Sequence, residues 1–314
     1  MQSSTPRVVV LGTGGTIAGT TSDAGENLGY RAGEIGVAGL VSAVAPLARF
    51  ALEAEQVAQI DSKDMSHAVW RELVLRCAHH LARPEVAGIV VTHGTDTLEE
   101  TAWFLQRALA PLKPLVLTAA MRPANALQAD GPQNLLDAVT VACTAGARGV
   151  LVVMAGAVHG AADVRKLHSY RIDAFGSGEA GPVAVIEEGR LRCFRAWPND
   201  AALLPWAALE VDAAAWPRVE IVFSHAGVGP ALVEALVAQG VRGLVVAATG
   251  NGSVHVQLDV ALQAAQRAGV RVLRSTRCAF GAVVDNDPQA WPSAGALTPV
   301  KARIELMLEL MRLA

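Results

Sequence analysis

The chain has 314 residues, 52% of them hydrophobic, 18% charged and 4% aromatic. At roughly 100–200 residues per domain that is about two domains, and the composition excludes disorder and points to cores of Val, Leu, Ile and Ala. Lys plus Arg number 26 against 29 Asp plus Glu, a net charge of -3 with no basic run, so nucleic acid is not expected as a partner.

Residues 7–13 form a compact apolar run ending in Gly12-Thr13-Gly14-Gly15-Thr16, the pattern of a buried strand feeding a tight loop. Similar runs at 57–60, 88–92, 115–118 and 149–155 alternate with helical periodicity over 68–81, 98–110 and 133–144. Strands apolar on both faces, alternating with helices, predict a mainly parallel sheet flanked by helices, an α/β fold. Thr97-Leu98-Glu99-Glu100 fits a capping box, in which the Thr97 hydroxyl accepts from the Glu100 N–H and the Glu100 carboxylate reaches back. Residues 175–191 read as short extended pieces around a Glu188-Gly189-Arg190 turn, a hairpin near a sheet edge. Trp197-Pro198, Pro205 and Trp216-Pro217 bracket a linker at 198–217. Alternation then resumes, with strands at 219–223, 243–247 and 270–273 and helices at 230–239, 256–268 and 299–313. The expected organisation is a larger N-terminal α/β domain (1–197), the linker, and a smaller C-terminal α/β domain (218–314).

Cys77, Cys143, Cys193 and Cys278 form no C-x-x-C pair and are expected to be free, mostly buried thiols. His79 and His80 are adjacent, so they point apart on a helix, and His67 has no ligand at i+4; no metal site is expected. Gly12-x-Gly14-x-x-Ile17 lacks the third glycine of a dinucleotide fingerprint, and Gly14-x-x-x-x-Gly19 is followed by Thr20 rather than the lysine of a P-loop, so no cofactor is expected. No stretch is apolar for long enough to span a bilayer, and the run after Arg7 is too short for a signal peptide. The expected location is the cytoplasm, or the periplasm if a leader has been removed, with no membrane partner.

Two loops at strand ends carry hydroxyls beside backbone N–H groups: Thr13 and Thr16 in one, Thr92, Thr95 and Thr97 with Asp96 in the other. Threonines cap turns more often than they catalyse, but open α/β sheets bind ligands at the carboxyl ends of their strands. A threonine hydroxyl needs a nearby base to act as a nucleophile. Lys166, one of four lysines with Lys63, Lys113 and Lys301, follows the fifth strand onto the same edge; alone it reads equally well as a solvated loop residue.

Residues 11–19 (Leu-Gly-Thr-Gly-Gly-Thr-Ile-Ala-Gly), with Val91-Thr92-His93-Gly94-Thr95-Asp96-Thr97-Leu98-Glu99-Glu100-Thr101-Ala102, resemble the paired signatures of bacterial-type L-asparaginases. The match continues through Asp61-Ser62-Lys63-Asp64, Ala120-Met121-Arg122-Pro123, Ala129-Asp130-Gly131-Pro132, Asp163-Val164-Arg165-Lys166 and Gly250-Asn251-Gly252, and its pattern is nearest the type II enzymes. The resemblance implies a cofactor-independent amidohydrolase that converts L-asparagine to L-aspartate and ammonia, with glutamine as a weaker substrate. It implies catalytic roles for Thr16 as nucleophile, Tyr30 hydrogen-bonded to it from a mobile loop, and Thr95, Asp96 and Lys166 as the second half of the machinery. Backbone N–H groups near Thr16 and Thr95 would hold the oxyanion. The substrate-binding set it implies is Gly15, Asp61, Ser62, Lys63, Gly94, Thr95, Asp96, Ala120 and Asn251, the last reached from a neighbouring subunit. A homo-oligomer follows, a tetramer built from dimers with shared sites.

The segment 19–33 also suits a lid on physical grounds, with Gly25 and Gly29 as hinges. The chain departs from the family at position 63, where Lys replaces the usual Gln or Glu, which bears on asparagine against glutamine. The acidic residue related enzymes present from an adjacent subunit has Asp285 and Asp287 as its candidates here. Two rival readings are a subunit that feeds ammonia to a tRNA-dependent amidotransferase, which calls for a dedicated partner, and a silent amino-acid-binding protein, against which the five catalytic-motif residues speak.

Overall fold

In the computed structural model, which describes residues 6–284 and 290–313, the chain divides into two compact units, Met1–Ala202 and Leu203–Ala314. The first contains strands β1 (Arg7–Gly14), β2 (Ala51–Ile60), β3 (Val86–Thr92), β4 (Pro114–Thr118), β5 (Gly149–Met154), β6 (Ala157–Gly160), β7 (Arg165–Lys166), β8 (Phe175–Gly176), β9 (Ala184–Glu187) and β10 (Arg190–Cys193). Its helices are α1 (Val37–Ala43), α2 (His67–Leu81), α3 (Leu98–Leu109) and α4 (Gly131–Ala142).

Eight strands form one sheet in the order β10-β9-β6-β5-β4-β3-β1-β2. The five from β2 to β5 run parallel, as the continuous apolar runs predict. The sheet then reverses. Met154 pairs with Ala157 across a two-residue turn in which Ala155 and Gly156 both have positive φ, 49° and 75°, the geometry that matches strand twist in tight hairpins. Glu188 and Gly189 (φ 49° and 71°) repeat it between β9 and β10, so the expected hairpin sits at the sheet edge. β7 and β8 pair separately as a two-stranded ribbon.

Alternate residues of β1, β3, β4 and β5 serve opposite faces. Val8, Val10, Val90, Val116, Leu151 and Val153 join α1 and α4 through Leu40, Leu135 and Val139 in one core. Val9, Leu11, Ile89, Val91, Leu115 and Leu117, equally buried, lie on the other face, where α2 and α3 pack. Each such side chain contributes roughly 1.5–3 kcal/mol, which makes the central strands a rigid base for the loops at their ends.

The second unit holds α5 (Trp206–Glu210), β11 (Val219–Phe223), α6 (Ala231–Ala238), β12 (Gly243–Ala248), α7 (Val256–Arg267), β13 (Arg271–Thr276) and α8 (Pro299–Leu313). Its three strands are parallel in the order β11-β12-β13, with α6 and α7 packed through Val233, Leu236, Leu258 and Leu262 onto Val222, Leu244 and Val246. β13 runs past the apolar stretch at 270–273 because Arg274, Ser275 and Thr276 still pair with β12. The prolines at 198–217 leave room for the short α5.

One expectation is corrected. Of the four free thiols only Cys77 is buried and Cys143 partly so, while Cys193 and Cys278 are exposed; Cys193 ends the edge strand β10. Asp285 and Asp287 lie outside the described residues. Among those described, no helix is long and apolar enough to cross a membrane.

Candidate active site

The parallel strands β1, β2 and β3 end side by side, and their loops meet backbone to backbone. The Thr13 hydroxyl donates to the Thr92 carbonyl at 2.9 Å, and the Gly15 N–H to Ile60 O at 2.8 Å. Gly14 has φ +102°, and a Cβ there would lie 2.3 Å from Ile60 O. At Gly15, φ +81°, a Cβ would lie 2.4 Å from both Cα and N of Gly94; at Gly94 it would lie 2.4 Å from Ser62 Oγ. Glycine is required at these contacts because no side chain fits.

Thr16, buried, starts a single 3₁₀ turn, Thr16–Ala18. Its Oγ1 lies 2.7 Å from the Tyr30 hydroxyl. Tyr30 belongs to the 19–33 segment, whose two ends are pinned together: Thr20 and Arg31 exchange backbone hydrogen bonds of 3.0 and 2.9 Å, and Gly33 N–H reaches Gly15 O at 3.1 Å. The far side is clasped from the 124–127 loop. The Asn125 carboxamide accepts from Thr21 N–H at 2.9 Å and donates to Thr21 O at 2.7 Å, while Leu127 N–H donates to Ala24 O at 3.0 Å. Gly25 and Gly29 have no positive φ.

The second cluster forms around the loop after β3. Lys166 Nζ donates to Thr95 Oγ1 at 2.9 Å and to Asp96 Oδ1 at 2.6 Å. Since Nζ occupies a lone pair of Thr95 Oγ1, the Thr95 hydroxyl proton remains for another acceptor. The Lys166 backbone N–H rests on the Glu99 carboxylate at 3.2 Å, which holds the lysine against the start of α3. Ser62 Oγ accepts from Asp96 N–H at 3.1 Å, and the Thr97 hydroxyl donates to Ser62 O at 2.8 Å. The expected capping box is therefore absent. Thr97 has φ -120° and ψ 16° and makes no side-chain cap bond, its hydroxyl instead strapping the 62 loop to the 95 loop.

The structure thus joins Thr16 with Tyr30, and Thr95 with Asp96 and Lys166, across the Gly15–Gly94 contact. Ala120, fully buried, follows β4; the chain beside it is held by the Asp130 carboxylate, which accepts from Met121 N–H and Arg122 N–H at 3.0 Å. Burial pushes the Asp130 pKa up, against those bonds. Lys63 turns aside: its ammonium pairs with Asp64 and, at 3.7 Å, with Asp61. Asn251 lies in the second unit, its carboxamide donating to Val284 O at 3.0 Å and accepting from Val284 N–H at 2.7 Å. Sequence alone marks Glu99 and Asp130 only as members of the motifs at 91–102 and 129–132, and nothing local marks Asn125.

A mainly parallel α/β sheet whose strand-end loops bring together two threonine hydroxyls and a lysine places a candidate hydrolytic site at the carboxyl ends of its strands. The family model for the N-terminal domain of asparaginase matches residues 7–199, and that for the glutaminase/asparaginase C-terminal domain matches 218–312. L-asparaginase 2 of Bacillus subtilis is 36% identical over 98% of this chain and 83% of its own length. Glutaminase-asparaginase of Pseudomonas fluorescens is 36% identical over 97% of this chain and 86% of its own. The solved structure of the "Probable Cytoplasmic L-asparaginase" of Campylobacter jejuni superposes with a TM-score of 0.89 at 34% identity, covering 98% of this chain and 95% of that one. The chain belongs to the asparaginase/glutaminase family.

Proposed function

We propose that this protein hydrolyses L-asparagine to L-aspartate and ammonia through a covalent acyl-threonine on Thr16, with glutamine as a minor substrate. One observation carries the reading: two hydroxyl side chains, each with its own polar partner, follow the glycines that bring their loops into contact. Thr16 Oγ attacks the side-chain amide carbon while its proton moves toward the Tyr30 oxygen. The C–N bond then breaks, the nitrogen taking up the proton that Thr16 gave, relayed through the Tyr30 hydroxyl, and leaving as ammonia. Water, oriented by the Thr95 hydroxyl with Lys166 and Asp96, adds to the acyl carbon and releases aspartate and free Thr16. Asp96 faces the substrate α-ammonium, and Ser62 with Gly94 the α-carboxylate.

The names of the relatives support asparagine as substrate, and the Pseudomonas protein supports some turnover of glutamine. The active species is a homo-oligomer, a tetramer built from dimers, in which the exposed Asn251 of a neighbouring copy closes the pocket; its amide is already held rigid by Val284. The test is Thr16→Ala, assayed for ammonia release from asparagine and glutamine. Removing a nucleophile that acts with its partners as a unit costs at least about 10³-fold in kcat. A folded Thr16→Ala protein releasing ammonia at the parental rate refutes the assignment; tight asparagine binding by the wild type without any ammonia favours a silent binding protein.

A further inference from the structure

We propose that His93 is a positioning residue of this site, a buried neutral imidazole that clamps the Gly94 carbonyl and so aims the Thr95 backbone N–H at the developing oxyanion. It rests on the amidohydrolase reading above. His93 is fully buried, with Nδ1 2.7 Å from Gly94 O and Nε2 3.0 Å from Thr101 Oγ1. Thr101 Oγ1 in turn lies 2.9 Å from Trp70 Nε1.

The ends of this chain fix its direction. An indole N–H can only donate and a carbonyl can only accept. Thr101 therefore accepts from Trp70 and passes its own proton to His93 Nε2, and His93 Nδ1–H donates to Gly94 O. One tautomer satisfies every member. Removal from water favours the same uncharged ring, lowering its pKa to about 4.

The Gly94 carbonyl needs such a clamp. Glycine is imposed at 94 by the approach of Ser62 Oγ, which a Cβ would meet at 2.4 Å, and glycine leaves the adjoining peptide unusually free to turn. A trans peptide is planar, with C=O and N–H pointing oppositely, so holding Gly94 O fixes the direction of Thr95 N–H. That N–H has no hydrogen-bond partner among the described residues, although Thr95 is buried. A fixed, unpaired donor beside the second hydroxyl is what an oxyanion requires, and His93 acts on it from the side away from substrate, without touching the reacting atoms.

The experiment compares three substitutions in the full-length enzyme. His93→Asn places an amide N–H where Nδ1–H stood; His93→Gln places it nearer Nε2; His93→Phe offers neither. The expected result is a roughly 10- to 100-fold fall in kcat, below the roughly 10²–10³-fold cost of removing an oxyanion donor outright, for Gln and Phe with KM for asparagine within about twofold, and recovery to within about fivefold of wild type for Asn. A purely structural role lowers all three together, in step with folded protein. Equal kcat for Phe and wild type overturns the proposal alone, whereas a wild type without ammonia release overturns the activity beneath it. If the variants fail to fold, nitrogen NMR of labelled histidine in the intact enzyme decides: Nδ1–H, non-titrating from about pH 5 to about pH 8, supports the clamp, and Nε2–H or a titrating ring sinks it.

Discussion

Gly15→Ala tests whether the two threonine loops are held together by backbone contact. Gly15 has φ 81° and ψ -175°, a region entered almost only by glycine, where another residue costs about 1–3 kcal/mol. Its added Cβ would stand 2.4 Å from Gly94 Cα and N. Non-bonded carbons rest about 3.5–4.0 Å apart, so the loops must separate by more than about 1 Å, and such overpacking costs about 1–3 kcal/mol more. The expected loss is about 2–6 kcal/mol. Gly146→Ala is the control: its φ is +80°, but nothing lies within 4 Å of the new Cβ, so it carries backbone strain alone, about 1–2 kcal/mol. Urea denaturation measures the stability, and ammonia release at saturating asparagine measures the geometry. Gly146→Ala should keep full turnover; Gly15→Ala should lose about 100-fold or more, since about 1 Å of misplacement is worth that much. If Gly15→Ala matches Gly146→Ala in both assays, the loops do not depend on each other and the site argument fails.

Acid should weaken the fold through His93. Burial holds its pKa near 4 instead of 6.5, so between these values the unfolded chain binds a proton that the folded chain refuses, and stability falls as pH drops from about 6.5 to about 4, by about 3 kcal/mol at most. Asp130 and Asp137, whose pKa values burial raises, act in the opposite sense. The diagnostic is therefore the difference between wild type and His93→Asn in urea midpoint at pH 7 and at pH 4.5, and an unchanged difference disproves the linkage. Asn125→Ala removes both bonds that hold Thr21, worth about 1–3 kcal/mol together. Trypsin should then cut faster after the exposed Arg31, and kcat/KM should drop roughly 5- to 100-fold; cleavage at the parental rate means the 124–127 loop does not secure the lid.

Where sequence predicted structure well, the cause was local. β1, β3 and β4 are apolar on both faces and bounded by glycine or polar turns, so their positions followed from composition alone. The Glu188-Gly189 turn announced itself through its glycine, but the similar turn at Ala155-Gly156 did not, because Met154 and Ala157 look like one continuous apolar run. Their reversal is visible only once Met154 pairs with Ala157. The apolar run at 57–60 marks only the end of β2, which begins at Ala51, since its first half alternates with Glu53 and Glu55. Those carboxylates are held by Arg83 and Arg76, which keep both pKa values low, Glu55 at about 2.

Thr97 shows why the remainder was illegible. Its spacing to Glu100 meets the rule for a capping box, and in isolation that bond would have formed. In the fold, Ser62 arrives from 35 residues away and offers its carbonyl, so a tertiary partner displaces the local one. The same competition governs Glu99 and Asn125, which bond backbone atoms that only the folded chain brings near; His93 holds the carbonyl of the next residue, its other nitrogen set by Thr101. Glycine is what makes such partners necessary. Gly14, Gly15 and Gly94 let three loops approach closer than any side chain permits, and the same lack of side chains leaves those loops without intrinsic stiffness. Stiffness must then come from side-chain hydrogen bonds: Thr13 and Thr97 strap one loop to the next, His93 holds the Gly94 carbonyl, and Asp130 holds the chain after β4. A motif read as a string therefore locates the hydroxyls, while the bonds that hold their loops still, from within the motif as with Thr97 or from far along the chain as with Asn125, exist only in the fold.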